Sequence, residues 1–207
     1  GKRPTSGYIP RFRNVYKQET DFLRGYASNL SASRIVENAS DLVGESLKNS
    51  LLAPKLGNWH INVGMMGETI PKAHSTVRLD SQLKDKYGIP KIIMSVEWKE
   101  NDDKMTRDFV EQQTEMYERM GFKNINVVDR GSPPGSDIHE MGGVRMGNDP
   151  RTSLLNKYNQ LHACPNVFVT DGACMTSAST QNPTLTFMTL TARAANHAVE
   201  ELNKLNL

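Results

Sequence analysis

The sequence is poor in cysteine: Cys164 and Cys174 are its two cysteines, ten positions apart in a chain of 207 residues. Because they form no Cys-x-x-Cys pair, their spacing argues against a disulfide framework or a zinc site and favours two reduced, partly buried thiols. Apart from His139, which we consider below, the histidines show no metal-ligand spacing. We therefore predict no metal site.

The sequence also lacks a long apolar run and an excess of charge of one sign. No stretch approaches the ~20 apolar residues that cross a bilayer, which argues against a membrane-spanning segment. The net charge of +2 is too close to zero to indicate a nucleic-acid or membrane-surface partner. The first residues do not form a signal peptide. We expect a soluble protein of the cytoplasm or periplasm, with the compartment left open because a leader could have been cut off.

The composition that remains, 37% hydrophobic and 23% charged residues, is that of an ordinary globular domain. Residues 1–40 read as loop and strand, and alternating apolar residues predict further strands over 58–66, 74–82, 91–98 and 123–130. A short amphipathic helix, capped by Ser40 or Asp41, is predicted within 40–52.

A longer helix is predicted over 101–120, with Asn101 or Asp102 as its cap and Gly121 as its end. Its apolar face consists of Met105, Phe109, Met116 and Met120. Strands and helices do not alternate regularly in residues 1–135. We therefore predict an α+β fold there, a mainly antiparallel sheet with helices on one face.

The character of the sequence changes after residue 135. The stretch HEMGGVRMG, His139–Gly147, is too rich in glycine for a helix interior. The segment NVFVTDGA predicts a short buried strand that ends at Asp171-Gly172. Asn182 as N-cap and Pro183 at the first helical position then open a long final helix. Its apolar stripe contains Leu185, Met188, Ala192, Ala195, Val199, Leu202 and Leu205.

Each of these three features has an ordinary structural interpretation when it is taken alone. A histidine beside glycines is most often a structural hydrogen-bonding group, and Asp-Gly after a strand is most often a turn. The helix start leaves the amides of Thr184 and Leu185 free and carries a partial positive charge, which predicts an anion site or simply a capped helix.

In their order along the chain, the three features resemble the C-terminal end of the glucose–methanol–choline (GMC) family of flavin-dependent oxidoreductases. The resemblance covers 136–207, and residues 67–105 also look like the family's segment that runs into its substrate domain. It is closest to members with a histidine–asparagine catalytic pair. It implies that His139 is the acid/base and that Asn182 is its partner on the substrate hydroxyl.

The resemblance also implies how the chain meets a flavin. The glycines after His139 would let the chain pass close to the isoalloxazine ring. Contacts along the ribityl–pyrophosphate of FAD are implied for Asp171, Gly172 and Ala173, and contacts near the flavin pyrimidine for Pro183 and Thr184. The implied reaction is oxidation of a CH–OH group of an alcohol or sugar by hydride transfer to flavin, a reaction for which an imidazole is a suitable proton acceptor at neutral pH.

One part of the family pattern is absent, because no Gly-x-Gly-x-x-Gly dinucleotide motif occurs in the sequence. We therefore expect a C-terminal portion with an incomplete FAD site, inactive by itself. Residues 1–135 would belong to the substrate-binding domain. Residues 136–207 would be the catalytic segment that returns to the FAD-binding domain with its last strand and helix. The missing N-terminal FAD-binding region is then a required partner.

Two other functions remain open at this point. A flavin-containing hydroxynitrile lyase of the same family would use the histidine on a cyanohydrin without net oxidation, and a non-catalytic binding or assembly domain would keep only the fold. The pairing of His139 with Asn182 argues against the second. The substrate, a small alcohol or sugar, and the electron acceptor are not identified by the sequence.

Overall fold

The structure, a computed structural model, describes residues 5–36, 41–53, 55–129, 131, 133, 136 and 139–207, without the side chains of Ile35 and Val36. Within these residues the elements are β1 Ser6–Phe12, β2 Tyr26–Val36, α1 Gly44–Leu52, β3 Leu56–Gly67, β4 Thr76–Lys84, β5 Pro90–Ser95, α2 Glu100–Arg119, β6 Gln160–Leu161, β7 Cys164–Phe168 and α3 Thr184–Asn203. No helix in this part of the chain has the length and apolar character that crossing a bilayer requires.

The main sheet is antiparallel, in the order β1-β2-β3, and α2 packs on one of its faces. The core between them contains Phe22, Tyr26, Met105 and Phe109. Gly67 permits this close packing, since a Cβ there would lie 2.7 Å from Sδ of Met105. The α+β class and the antiparallel pairing are therefore confirmed.

A charged network fastens the same helix to the loop after β1. The Tyr26 hydroxyl donates to Asp108 at 2.6 Å, and Arg13 donates to both oxygens of the same carboxylate at 3.0–3.1 Å. Burial and this carboxylate raise the pKa of Tyr26, which stays neutral in the fold. The network thus holds α2 next to its apolar contacts, since Tyr26 also packs against Phe109.

The strands do not all join one sheet, in contrast to the prediction. In the described residues β4 pairs only with β5, as a separate antiparallel hairpin, and residues 124–129 form no strand. The strand predicted over 123–130 is therefore wrong in its described part. Alternation of apolar residues yields a strand only when a neighbouring strand pairs with it, and no described strand pairs with residues 123–129.

The helix starts also differ from the prediction. Lys99 is the N-cap of α2, and the Asp102 carboxylate accepts the Lys99 amide from inside the first turn. Asn101 instead binds the backbone of Leu23, with its oxygen 2.7 Å from the amide nitrogen. The buried face also differs from the prediction: Met105 and Phe109 are buried as predicted, but the face continues through Gln113 and Tyr117, whereas Met116 is half-buried and Met120 is 59% exposed.

The first helix begins later than predicted, with Val43 as its N-cap. Asp41 is therefore not its cap, and Ser40 lies outside the described residues. Gly44 has a φ of +62°, a left-handed conformation that prevents the helix from extending back toward Asp41. None of the residues of α1 is buried, so the described chain provides no surface for its apolar side.

Candidate functional site

The glycine-rich stretch His139–Gly147 lies as an irregular segment along residues 172–176, which begin with a single 3-10 turn. The Val144 amide donates to the Ala173 carbonyl at 3.0 Å, and the Met146 amide donates to the Cys174 carbonyl at 2.9 Å. Met141 covers Gly172, where a Cβ would lie 2.8 Å from the methionine sulfur. The structure thus brings the segment that carries His139 together with Gly172 and Ala173, two of the residues implied to contact FAD.

These contacts give several glycines a role within the chain itself. Gly142 has a φ of +86°, and a Cβ there would lie 3.4 Å from the Thr176 carbonyl oxygen. A Cβ at Gly147 would lie 2.7 Å from that of Ser153. Gly143 is exposed and has the freest surroundings of the three, with the Ala173 Cβ 4.0 Å from its own ideal Cβ. Gly143 is therefore the glycine of this segment that is best placed for an approach to a ligand.

Asp171 has a structural role that its position after the strand only partly predicts. β7 ends at Phe168, and its residues are exposed or half-buried, so the prediction of a buried strand reaching Asp171 is wrong within this chain. The Asp171 carboxylate accepts the Ala173 amide at 2.9 Å and caps the 3-10 helix Gly172–Cys174. The side chain is exposed, and its other oxygen makes no hydrogen bond within the described residues.

Cys174 is the last residue of this 3-10 helix and is fully buried. Burial raises the pKa of its thiol, with a smaller opposing effect from the amide of Asn159. Cys174 and the half-buried Cys164 are both free thiols. Cys174 therefore behaves as a small apolar residue that fills the space under residues 171–175.

The start of α3 is displaced by one residue from the prediction. Pro183 is the N-cap, its carbonyl accepts the amides of Thr186 and Phe187 at 2.9 and 3.2 Å, and Thr184 is the first helical residue. Asn182 is therefore not the cap, and its exposed side chain makes no hydrogen bond within the described chain. The Thr184 amide likewise has no backbone acceptor in the described part, as a free helix end requires.

The residues just before Asn182 are fastened to the edge strand of the main sheet. Tyr8 donates from its hydroxyl to the Thr180 carbonyl at 2.9 Å. Thr180, 1% exposed, and Gln181 both donate to the Pro10 carbonyl, at 3.2 and 2.7 Å. Asn182 therefore follows a rigid attachment between the C-terminal segment and β1.

His139 and Asn182 lie at the two ends of one connected substructure. His139 precedes the segment that packs on residues 172–176, and Asn182 follows the attachment of Thr180 and Gln181 to β1. His139 is half-buried, and among the described residues it forms no hydrogen bond or ion pair, so both of its ring nitrogens are free to bind a ligand. No described contact joins His139 to Asn182, and their pairing stays a prediction.

A comparison with protein families decides what these features belong to. The model of the GMC oxidoreductase family matches residues 71–191, which include His139, Asp171 and Asn182. The chain belongs to the GMC oxidoreductase family. The resemblance seen in the sequence is thereby confirmed, and the chain carries the C-terminal domain of this FAD-dependent family.

Individual relatives show the same relationship. The GMC chain is 36% identical to a 2-methyl-1,2-propanediol dehydrogenase of Mycolicibacterium austroafricanum over 67% of its own length and 25% of the relative's. It is 31% identical to a gluconate 2-dehydrogenase flavoprotein of Pantoea cypripedii, over 71% and 25%. The fructose dehydrogenase large subunit of Gluconobacter japonicus is 29% identical, over 66% and 25%. The matched part of the GMC chain thus spans about a quarter of each of these relatives.

The apolar stripe predicted for α3 lies on the outside of this GMC chain. Its seven residues are all exposed, with exposed fractions of 76% for Leu185, 60% for Met188 and 58% for Leu202. The side of α3 that the described chain covers carries Ala194 instead, which is 1% exposed. An apolar row that is exposed to solvent beside a free helix N-terminus is typical of an interface rather than of a surface that stays exposed.

Sequence reasoning missed one charged residue beside this site. Glu68, directly after β3, is 7% exposed, and its carboxylate accepts a hydrogen bond from the Ser177 hydroxyl at 2.8 Å. The Nε of Arg24 lies 3.6 Å from the same carboxylate oxygen. No motif signals this contact, because 109 positions separate the two hydrogen-bonded residues.

The described residues form one cleft next to the site and another away from it. One of about 230 Å³ is lined by Gly143, Arg145 and residues 150–154, next to the glycine-rich segment. The other, of about 320 Å³, lies between the loop after β1 and α2, and none of the predicted site residues lines it. The larger cleft is bordered by ion pairs that hold α2 in place, among them that of Arg13 with Asp108. We attribute this larger cleft to the way in which the loop after β1 packs against α2.

Proposed function

We propose that this chain is the C-terminal portion of an FAD-dependent oxidoreductase that oxidises a CH–OH group of a small alcohol or sugar. The observation that carries the proposal is the connection of the His139 segment to residues 172–176 within a part of the chain that matches the GMC family. Relatives named as dehydrogenases of a diol, of gluconate and of fructose support this substrate class.

In this proposal His139 accepts the hydroxyl proton of the substrate. Its imidazole has no partner among the described residues that would compete for either nitrogen. An imidazole takes up a proton near neutral pH, which matches the demand of alcohol oxidation. Asn182 is the second group on the same hydroxyl, where its amide orients the oxygen toward His139. Bound FAD would supply the acceptor for the hydride of the substrate carbon.

The chain's own residues fit part of an FAD site. The open oxygen of the Asp171 carboxylate suits a cofactor hydroxyl, and the exposed Gly143 leaves room for a close approach. The first amides of α3, from Thr184 and Leu185, would stabilise negative charge that develops next to them. Pro183 is buried and contributes only through the direction that it gives the helix. The pyrophosphate must then be held by another region, since no Gly-x-Gly-x-x-Gly is present.

That other region also accounts for the exposed stripe of α3. We propose that the FAD-binding region covers Leu185, Met188 and Leu202. The same contact would complete the cofactor site and bury the apolar side of α3. Burial of three such side chains is worth roughly 1.5–3 kcal/mol each, enough to hold a domain contact. Residues 1–135 are then the portion of the substrate-binding domain, and 136–207 the catalytic segment.

The test is anaerobic reduction of the flavin in the complete protein by alcohols. We expect 1,2-diols, sugars or sugar acids to bleach the flavin absorbance, because oxidation of the substrate delivers two electrons to it. The control is the same protein without added substrate, in a buffer that is free of glycerol because glycerol is itself an alcohol. Failure of a broad panel of alcohols and sugars to bleach a loaded flavin contradicts the proposal. Cleavage of a cyanohydrin without bleaching would assign the lyase reaction instead, which no relative's name supports.

A further inference from the structure

A buried carboxylate joins the main sheet to the segment between the two proposed catalytic residues. Glu68 is the first residue after β3, and its side chain is 8% exposed. It accepts the Ser177 hydroxyl at 2.8 Å, and Nε of Arg24 lies 3.6 Å from the same oxygen. Burying a carboxylate is costly unless it is paired and hydrogen-bonded. The packing of the sheet core alone therefore does not explain why the Glu68 carboxylate is buried here.

Ser177 occupies the middle of a connection with attachments on both sides. On one side, the carbonyls of Met175 and Thr176 lie 3.4–3.5 Å from the ideal Cβ position of Gly142, three residues after His139. On the other side, Thr180 and Gln181 are bonded to β1, and Asn182 follows directly. A shift of Ser177 would thus reach the backbone that supports His139 and the backbone that leads to Asn182.

We infer that Glu68 is a positioning residue for this reaction, which fixes the distance between His139 and Asn182 through its hydrogen bond to Ser177. The inference rests on the proposed function, since it presupposes that these two residues act on one substrate hydroxyl. Glu68 itself acts through Ser177. Arg24 places a positive charge beside the carboxylate, with its Nε 3.6 Å from the oxygen that accepts the Ser177 hydroxyl.

The role predicts an effect on turnover rather than on substrate affinity. A displacement of a catalytic group by about 1 Å costs on the order of 10²-fold in rate even when the change is remote from the chemistry. Glu68→Ala removes the acceptor and Ser177→Ala removes the donor. Glu68→Gln keeps an oxygen that can accept the hydroxyl of Ser177 and removes the charge that faces Arg24.

The experiment measures kcat, KM and flavin content in the complete FAD-loaded protein. We expect Glu68→Ala and Ser177→Ala each to lower kcat by about 10–100-fold with little change in KM or in bound FAD. The double variant is expected to be no slower than the slower single variant, because both remove one hydrogen bond. Glu68→Gln is expected to recover most of the lost kcat.

The chain offers matched controls. Ser179→Ala alters an exposed serine two positions away, and Glu97→Ala alters an exposed glutamate that binds Lys99; both are expected to keep the wild-type kcat. A wild-type kcat in Ser177→Ala, a variant that removes a single oxygen, overturns the inference even where Glu68→Ala does not fold. So does a kcat of Glu68→Gln as low as that of Glu68→Ala.

A parallel measurement separates this inference from the function on which it rests. His139→Ala that is slow beside a fast Ser177→Ala overturns the positioning role and leaves the proposed function in place. His139→Ala that is as fast as the wild type overturns both, because Glu68 then positions no catalytic base. Slow His139→Ala and slow Ser177→Ala, with a rescued Glu68→Gln, support both.

Discussion

At the scale of single residues, the roles proposed in substrate binding rest on two polar side chains that have no hydrogen-bond partner in the described chain. His139 and Asn182 form no described hydrogen bond, whereas Asp171 is already bound to the Ala173 amide. A polar group with an internal partner has part of its capacity committed. This difference is the reason why we propose His139 and Asn182, rather than Asp171, as the residues that act on the substrate hydroxyl.

His139→Ala in the complete protein is the direct test at this scale. We expect flavin reduction to slow by roughly 10²–10⁴-fold, the usual contribution of general acid–base catalysis, with FAD still bound. Stopped-flow absorbance under anaerobic conditions measures the rate. His74→Ala is the control, because His74 is an exposed histidine beside Glu97. Wild-type flavin reduction by His139→Ala would remove this residue from the reaction.

Asn182→Ala separates a role in chemistry from a role in helix capping. Because Pro183 is the N-cap and the Asn182 side chain caps nothing, the substitution should spare the ~1 kcal/mol that loss of a true cap costs. We expect slower flavin reduction at unchanged thermal stability. Calorimetry beside the kinetics checks both. Loss of stability with an unaffected rate would restore the capping interpretation.

At the scale of elements, the spacing of apolar residues predicts those strands and helices that the local sequence determines. The strands β3 and β4 and the helix α2 follow from alternation and helical spacing, and Gly121, with a φ of +81°, ends α2 as predicted. The caps fail because Asn101 serves a partner 78 positions away and Gly44 adopts a left-handed conformation. The contact of Glu68 with Ser177 is out of reach of sequence patterns for the same reason, since tertiary partners decide it.

The irregular segment at Gly142 offers a prediction with a matched control. Gly142→Ala and Gly88→Ala both place a side chain at a left-handed residue, with φ of +86° and +82°, which costs about 1–2 kcal/mol. Only at Gly142 would the new Cβ also touch the rest of the chain, 3.4 Å from the Thr176 carbonyl oxygen, because Gly88 has open space around it.

We therefore expect both variants to lose similar stability in thermal unfolding, and Gly142→Ala alone to slow flavin reduction. The reason is that relaxation of the strained backbone at Gly142 would shift the segment that carries His139, whereas Gly88 lies in the turn between β4 and β5. Equal rates for the two variants would show that the packing of Gly142 does not support the catalytic residue.

At the scale of the whole molecule, the chain provides one side of the proposed site, and another region would have to provide the rest. Its polar candidates, the free amides at the start of α3 and the exposed stripe of that helix all lie in residues 139–207. The family could be predicted from the order of His139, Asp171 and Asn182. The exposure of the stripe could not, because periodicity shows which residues share a face but not whether the same chain covers it.

This arrangement predicts that the isolated 207-residue chain retains no FAD. Asp171, Gly143 and the first amides of α3 provide a few contacts, whereas the largest charge on the cofactor, its pyrophosphate, has no glycine-rich cradle here. The chain is purified with added FAD, and its visible spectrum is recorded after desalting. We expect a colourless protein, and the complete protein treated identically serves as the yellow control. Stoichiometric flavin on the isolated chain would mean that these residues form the principal cofactor site, in which case Asp171→Asn should release the flavin.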